Sequence, residues 1–116
     1  MSFIAIVTND LFLAAKAQAL LVPRGFDARR VGPEALGALT SPPTALVLDL
    51  GLPPEARGDV AAWADGRMPV LAFGAHVDRE AMAWARQRGF HTVLTKGQLA
   101  ARLASALVSA LGLPPQ

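Results

Sequence analysis

The sequence predicts an α/β fold: one doubly wound parallel sheet of five strands, in three layers with helices on both faces. Three observations predict it. Five short apolar, β-branched runs recur along the chain, a helical segment follows each, and Pro or Gly marks most of the junctions. Strands that alternate with helices, joined by right-handed crossovers, leave this architecture as the solution. With 116 residues, 53% of them apolar and 17% charged, the chain fits a single domain. A chain of this size buries roughly 65% of its extended surface on folding, enough for a core without staples. The lack of Cys excludes a disulfide scaffold, a thiolate metal site and thiol catalysis.

Residues 3–7, FIAIV, read as a strand buried on both faces. Asn9 and Asp10 offer N-caps for a helix through about Leu21, which Pro23 and Gly25 end. Phe26 to Val31 is a weak strand whose Asp27, Arg29 and Arg30 suit a sheet edge. PEALGAL, residues 33–39, opens with Pro at a first helical position and predicts a short helix. Thr44 to Leu50, TALVLDL, is the strongest strand. GLPPEARG then reads as a loop, with a helix over residues 58–65. PVLAF at 69–73 is the fourth strand, and Asp78 caps a helix that reaches Arg88 before Gly89. HTVLT at 91–95 is the fifth. From Gln98 onward Leu99, Leu103, Leu107 and Leu111 form the stripe of a closing helix that ends at Gly112 and Pro114.

The formal net charge of +2 is unevenly spread, with −2 over residues 1–80 and +4 over residues 81–116. A basic carboxy-terminal third suits an acidic partner, but no aromatic or Gly-rich nucleic-acid motif accompanies the charges, so they read as a solvated helix face. The first residues lack the basic segment of a signal peptide and no run approaches the length of a membrane span, which predicts a cytoplasmic protein.

Open parallel sheets bind ligands beyond the carboxyl ends of their strands. The residues there are Thr8, Asn9 and Asp10, then Asp49, then Gly74 and Ala75, then Lys96. A carboxylate at the end of the third strand and a Lys at the end of the fifth can share one pocket, as nucleophile and cation for a phosphoryl group.

At these residues the chain resembles the receiver domain of bacterial two-component response regulators. LVLDLGLPP around Asp49 is similar to the phosphoacceptor segment of that family, and TKG at 95–97 to its Lys-Pro motif. GF at 25–26, PVLAFGA at 69–75 and RGFHTVLTK at 88–96 fall in the matching register, so the resemblance spans nearly the whole chain. It implies strand order 2-1-3-4-5, Asp49 at the phosphorylation position and Lys96 at the conserved Lys.

The departures bear on function. Where receivers carry two adjacent acids that hold Mg²⁺, this chain has Thr8 and Asn9. A hard cation wants carboxylate oxygens, so a site made from Asn9, Asp10, Asp49 and Gly51 would hold Mg²⁺ weakly. Asn9 and Asp10 also read as helix caps. The hydroxyl residue after the fourth strand is Gly74, and the aromatic switch position is Val93. The segment from Asp49 to Pro69 is shorter than usual, which implies a trimmed third helix. Asp49 and Lys96 have a purely structural alternative, an ion pair that holds the strand ends together.

One surface stands out for partners. If Ala81, Met82 and Ala85 face the sheet, Trp84 lies off the core face beside Arg88. Ala104 and Val108 widen the apolar stripe of the last helix. The resemblance implies that this face, made of the fourth helix, fifth strand and last helix, mediates dimerisation and partner docking. The reading that follows is a stand-alone degenerate receiver over residues 1–116, without an output domain or enzymatic activity, that signals by protein contact. Two alternatives stay open: phosphorylation of Asp49 by a histidine kinase, and a small nucleotide- or flavin-binding domain, for which no GxGxxG or P-loop is present.

Overall fold

The computed structural model describes residues 2–114. Its five strands, β1 (Ile4–Val7), β2 (Ala28–Val31), β3 (Ala45–Asp49), β4 (Val70–Gly74) and β5 (Thr92–Thr95), form one sheet in the order β2-β1-β3-β4-β5. Every neighbouring pair is parallel. Four α-helices cover it: α1 (Leu11–Leu21), α2 (Pro54–Ala64), α3 (Arg79–Gln87) and α4 (Leu99–Ala110).

Alternation along the strands explains the layers. Ile4, Ile6, Val47, Leu71, Phe73 and Leu94 share one core cluster with Ala17 and Leu21 of α1 and with Leu99, Leu103 and Leu107 of α4. Ala5, Val7, Leu46, Leu48 and Ala72 face the other way, onto Val60 and Ala64 of α2 and Ala81, Met82 and Ala85 of α3. Successive strand side chains point to opposite faces, so a continuous apolar run requires a helix layer on each side. β2 lies at an edge, as its charges predict, with Arg29 and Arg30 exposed and an Arg29–Asp27 ion pair at 2.8 Å. Asp27 holds the Arg29 guanidinium above its ordinary pKa, chiefly through their hydrogen bond.

Two predicted helices differ. Residues 33–39 do not form an α-helix; Pro33–Ala38 is a 3₁₀ helix in which Leu36 is the buried residue. With a single side chain to bury, nothing rewards extension beyond the tight turns that a 3₁₀ segment provides. The helix expected over 58–65 begins four residues earlier, at Pro54, and ends at Ala64. Pro54 sits where a helix needs no N–H donor, so the Pro-rich stretch starts the helix instead of delaying it. Gly89, at φ 73, lies just after α3, a left-handed conformation suited to Gly after a helix. Among the described residues no helix is long and apolar enough to cross a membrane.

Candidate functional site

The strand register builds the site. Val7 of β1 pairs with Leu48 of β3, so the next residues, Thr8 and Asp49, leave the sheet side by side. Both are buried, Thr8 completely and Asp49 at 5% exposure. The Thr8 hydroxyl donates to Asp49 Oδ2 at 2.7 Å, and the Gly51 N–H donates to Asp49 Oδ1 at 2.8 Å. Thr8 Oγ1 also accepts from the Asp10 N–H at 3.0 Å. Each oxygen of the most buried carboxylate in the chain thus meets an internal donor, which compensates its loss of water.

A cleft of about 400 Å³ opens above this cluster, and its walls include Asn9, Asp10, Asp49, Gly51 and Lys96. The fold therefore brings together five of the residues that the sequence singles out. Thr8 forms the floor beside Asp49, out of reach of solvent. Gly74 and Ala75 do not line the cleft. Gly74 is packed instead, since a Cβ there would lie 3.1 Å from Leu50 Cβ and 3.3 Å from Met82 Sδ.

Asp10 is a helix cap. Its Oδ1 accepts from the N–H groups of Phe12 at 2.9 Å and Leu13 at 3.2 Å, which satisfies two of the free donors at the start of α1. Lys96 is exposed at the head of the 3₁₀ turn Lys96–Gln98, which Thr95 and Gln98 cap reciprocally. No ion pair joins Lys96 to Asp49. The structural alternative for this pair, a salt bridge between strand ends, is thereby corrected: the Thr8 hydroxyl does that work, because it leaves the neighbouring strand in register and needs no long side chain to reach.

The residues present do not fit Mg²⁺. Among the described residues no three His, Asp or Glu side chains converge as a metal-binding group. Of the two carboxylates in the cleft, one caps a helix and the other is bonded internally through both oxygens. With these two carboxylates as its acidic ligands, a divalent ion there gains less of the charge that normally offsets its dehydration.

Arg57 is the residue that sequence reasoning missed. Its Nη1 donates to the carbonyls of Leu50 at 3.3 Å and Leu52 at 3.4 Å, on either side of Gly51, and its guanidinium lies 5.0 Å from the centre of the Trp84 ring. Trp84 lies off the core face, where the sequence places it, but is only partly exposed. It is half-buried against Phe90, edge to face at 5.8 Å, with Arg88 also 5.4 Å from its ring. The early start of α2 hides this link, because a loop assignment gives Arg57 no defined direction.

No family model matches the sequence, and no curated protein matches it. Solved structures do match. A response regulator receiver protein from Burkholderia phymatum superposes with a TM-score of 0.84 at 21% identity, covering 98% of each chain. The receiver domain of NtrX from Brucella abortus gives a TM-score of 0.79 at 23% identity, over 96% of this chain and 99% of that one. A receiver domain from Clostridium thermocellum gives 0.79 at 16% identity, over 97% and 95%. The chain has the fold of response-regulator receiver domains.

Proposed function

We propose that this protein is a receiver-fold signalling module that acts through protein contact, without phosphoryl transfer at Asp49. One observation carries the reading: the hydrogen bond from Thr8 to Asp49 Oδ2, at the position where the resemblance would have an acid beside the phosphoacceptor. Phosphoryl transfer depends on positioning and on charge stabilisation by metal and cation together. Here the metal-holding acids are replaced by a hydroxyl and an amide, and the acceptor carboxylate is held by internal donors. The partner face in this reading is α3, β5 and α4, with half-buried Trp84 and exposed Arg88 at the end of α3 and half-buried Ala104 and Val108 on α4.

A second reading, in which Asp49 accepts a phosphoryl group from a histidine kinase, draws support from Asp49 and Lys96 lining one cleft. Intact-mass spectrometry after incubation with Mg²⁺ and a small-molecule phosphodonor, beside Asp49→Ala, separates the two. The expected spectrum is unchanged. One added phosphoryl group that Asp49→Ala lacks would establish the second reading instead.

A further inference from the structure

Both tryptophans of the chain, Trp63 and Trp84, lie under guanidinium groups. Arg57 stands 5.0 Å and Arg88 5.4 Å from the centre of the Trp84 ring, and Arg67 stands 5.5 Å from that of Trp63. Among the described residues no carboxylate forms an ion pair with any of these three arginines. The Nε of Arg57 is moreover buried without an acceptor among them. A guanidinium over a ring has one face covered while its N–H edge stays available, which suits it to in-plane recognition of a carboxylate.

These groups border one groove between α2 and α3. Arg57, Ala61 and Ala64 follow each other four and then three residues apart, so they share one face of α2. Across from them Trp84 meets Phe90 edge to face at 5.8 Å. At the C-terminal end of α2 the groove opens into a cavity of about 330 Å³, walled by Ala61, Ala64, Arg88, Phe90 and His91. The two alanines leave that space, since a larger side chain at either position would fill it. Arg67 is exposed between Gly66 and Met68 of the same wall. Asp65 is the one acid among the described residues that line the cavity.

Charge identifies the occupant. Three arginines gathered around one carboxylate favour an anionic partner, and complementary charge both steers and selects it. The positive zone is short. Glu55 and Asp59 of α2 and Glu80 of α3 stand exposed on earlier turns of the same two helices, where they repel a long uniform polyanion such as a nucleic acid. We propose that the groove between α2 and α3 docks a short acidic peptide segment of a partner protein. Its carboxylates pair with the exposed Arg67 and Arg88, and an apolar side chain enters the cavity beside Phe90. Arg57, already bonded to the Leu50 and Leu52 carbonyls, holds Trp84 in place and adds its charge. Docking here rests on the reading of the protein as a contact-signalling module, and it extends that contact across α3 to α2.

An NMR titration of the whole chain at low ionic strength, with a Glu-rich peptide carrying a single Leu, tests the docking. The expected shifts gather at Gly66, the Trp84 indole N–H, Gly89 and His91, and they fade as salt is added. Arg88→Glu should weaken binding by at least about tenfold. Arg102→Glu makes the same change of charge on the exposed side of α4 and should leave binding within about twofold. The same peptide with Lys in place of Glu should not bind. Shifts centred on α4, an equal loss with Arg102→Glu, no shift at all, or tighter binding of oligo-dT at the same residues overturns the proposal. Phosphorylation of Asp49 would overturn the contact-signalling reading alone, and these shifts would be unaffected by it.

Discussion

Thr8 and Asp49 leave adjacent strands one step beyond the registered pair Val7 and Leu48, and the hydroxyl of one donates to the carboxylate of the other at 2.7 Å. Neither side chain is free to turn to water, since Thr8 is fully buried and Asp49 is 5% exposed. A hydrogen bond to a charged group contributes about 1.5–3 kcal/mol when its partner would otherwise be left unsatisfied. The bond therefore fastens the two central strands at their carboxyl ends.

Thr8→Val keeps the shape and removes the donor. It should destabilise the protein by about 1–3 kcal/mol in urea unfolding, because Asp49 Oδ2 then has no partner. In a double-mutant cycle with Asp49→Ala the two residues should couple by about 1–3 kcal/mol. Additive effects would show that the bond contributes nothing to stability.

Gly74 tests how tightly the end of β4 packs against Leu50 and Met82. A Cβ at that position would stand 3.1 Å from Leu50 Cβ and 3.3 Å from Leu50 Cδ1, and a Cβ so close to its own backbone cannot swing aside. Gly74→Ala and Gly74→Ser should each cost about 1–3 kcal/mol through overpacking. Unfolding curves that overlay the parent's would mean that the neighbours yield easily.

These outcomes explain what could be read from the sequence and what could not. Strand order and both core faces follow from alternation in runs such as TALVLDL, since each buried side chain reports its own face. Asp49, Asp10 and Lys96 were placed at one end because strand ends are easily located from the loops that follow. The Thr8 bond was not legible: it depends on register between strands separated by about forty residues, which no local pattern encodes. Arg57 was hidden for a different reason. Pro53 and Pro54 read as loop formers, yet Pro54 serves as the first residue of α2 and so directs Arg57 back over Leu50 and Leu52.

Arg57 should prove to link the loop after Asp49 to α3. Its Nη1 bonds two carbonyls while its guanidinium plane sits 5.0 Å from Trp84, and Lys cannot copy that geometry with a single ammonium. Arg57→Lys and Arg57→Ala should each destabilise by about 1–2 kcal/mol. In a Trp63→Phe background, where Trp84 is the remaining indole, both should shift its fluorescence. An unshifted emission in a folded Arg57→Ala protein would show that the contact is incidental.

The metal argument can be reversed by substitution. Wild-type protein should show no rise in melting temperature with millimolar Mg²⁺, because its cleft offers one helix-capping carboxylate and one that is internally bonded. Thr8→Asp combined with Asn9→Asp would supply two further carboxylates, the first in place of the hydroxyl that now stands 2.7 Å from Asp49. Like charges so close in a buried site repel strongly, so the double variant should be less stable than the parent in the absence of divalent ions. A cation that binds the folded form alone then restores stability, by about 2.7 kcal/mol at a hundred times its dissociation constant. The variant should therefore melt lower than wild type without Mg²⁺ and recover with it, and the recovery should be lost in Asp49→Ala. An equal Mg²⁺ response in wild type would mean that Asp49 releases Thr8 readily enough to serve a metal, and would reopen phosphoryl transfer at this site.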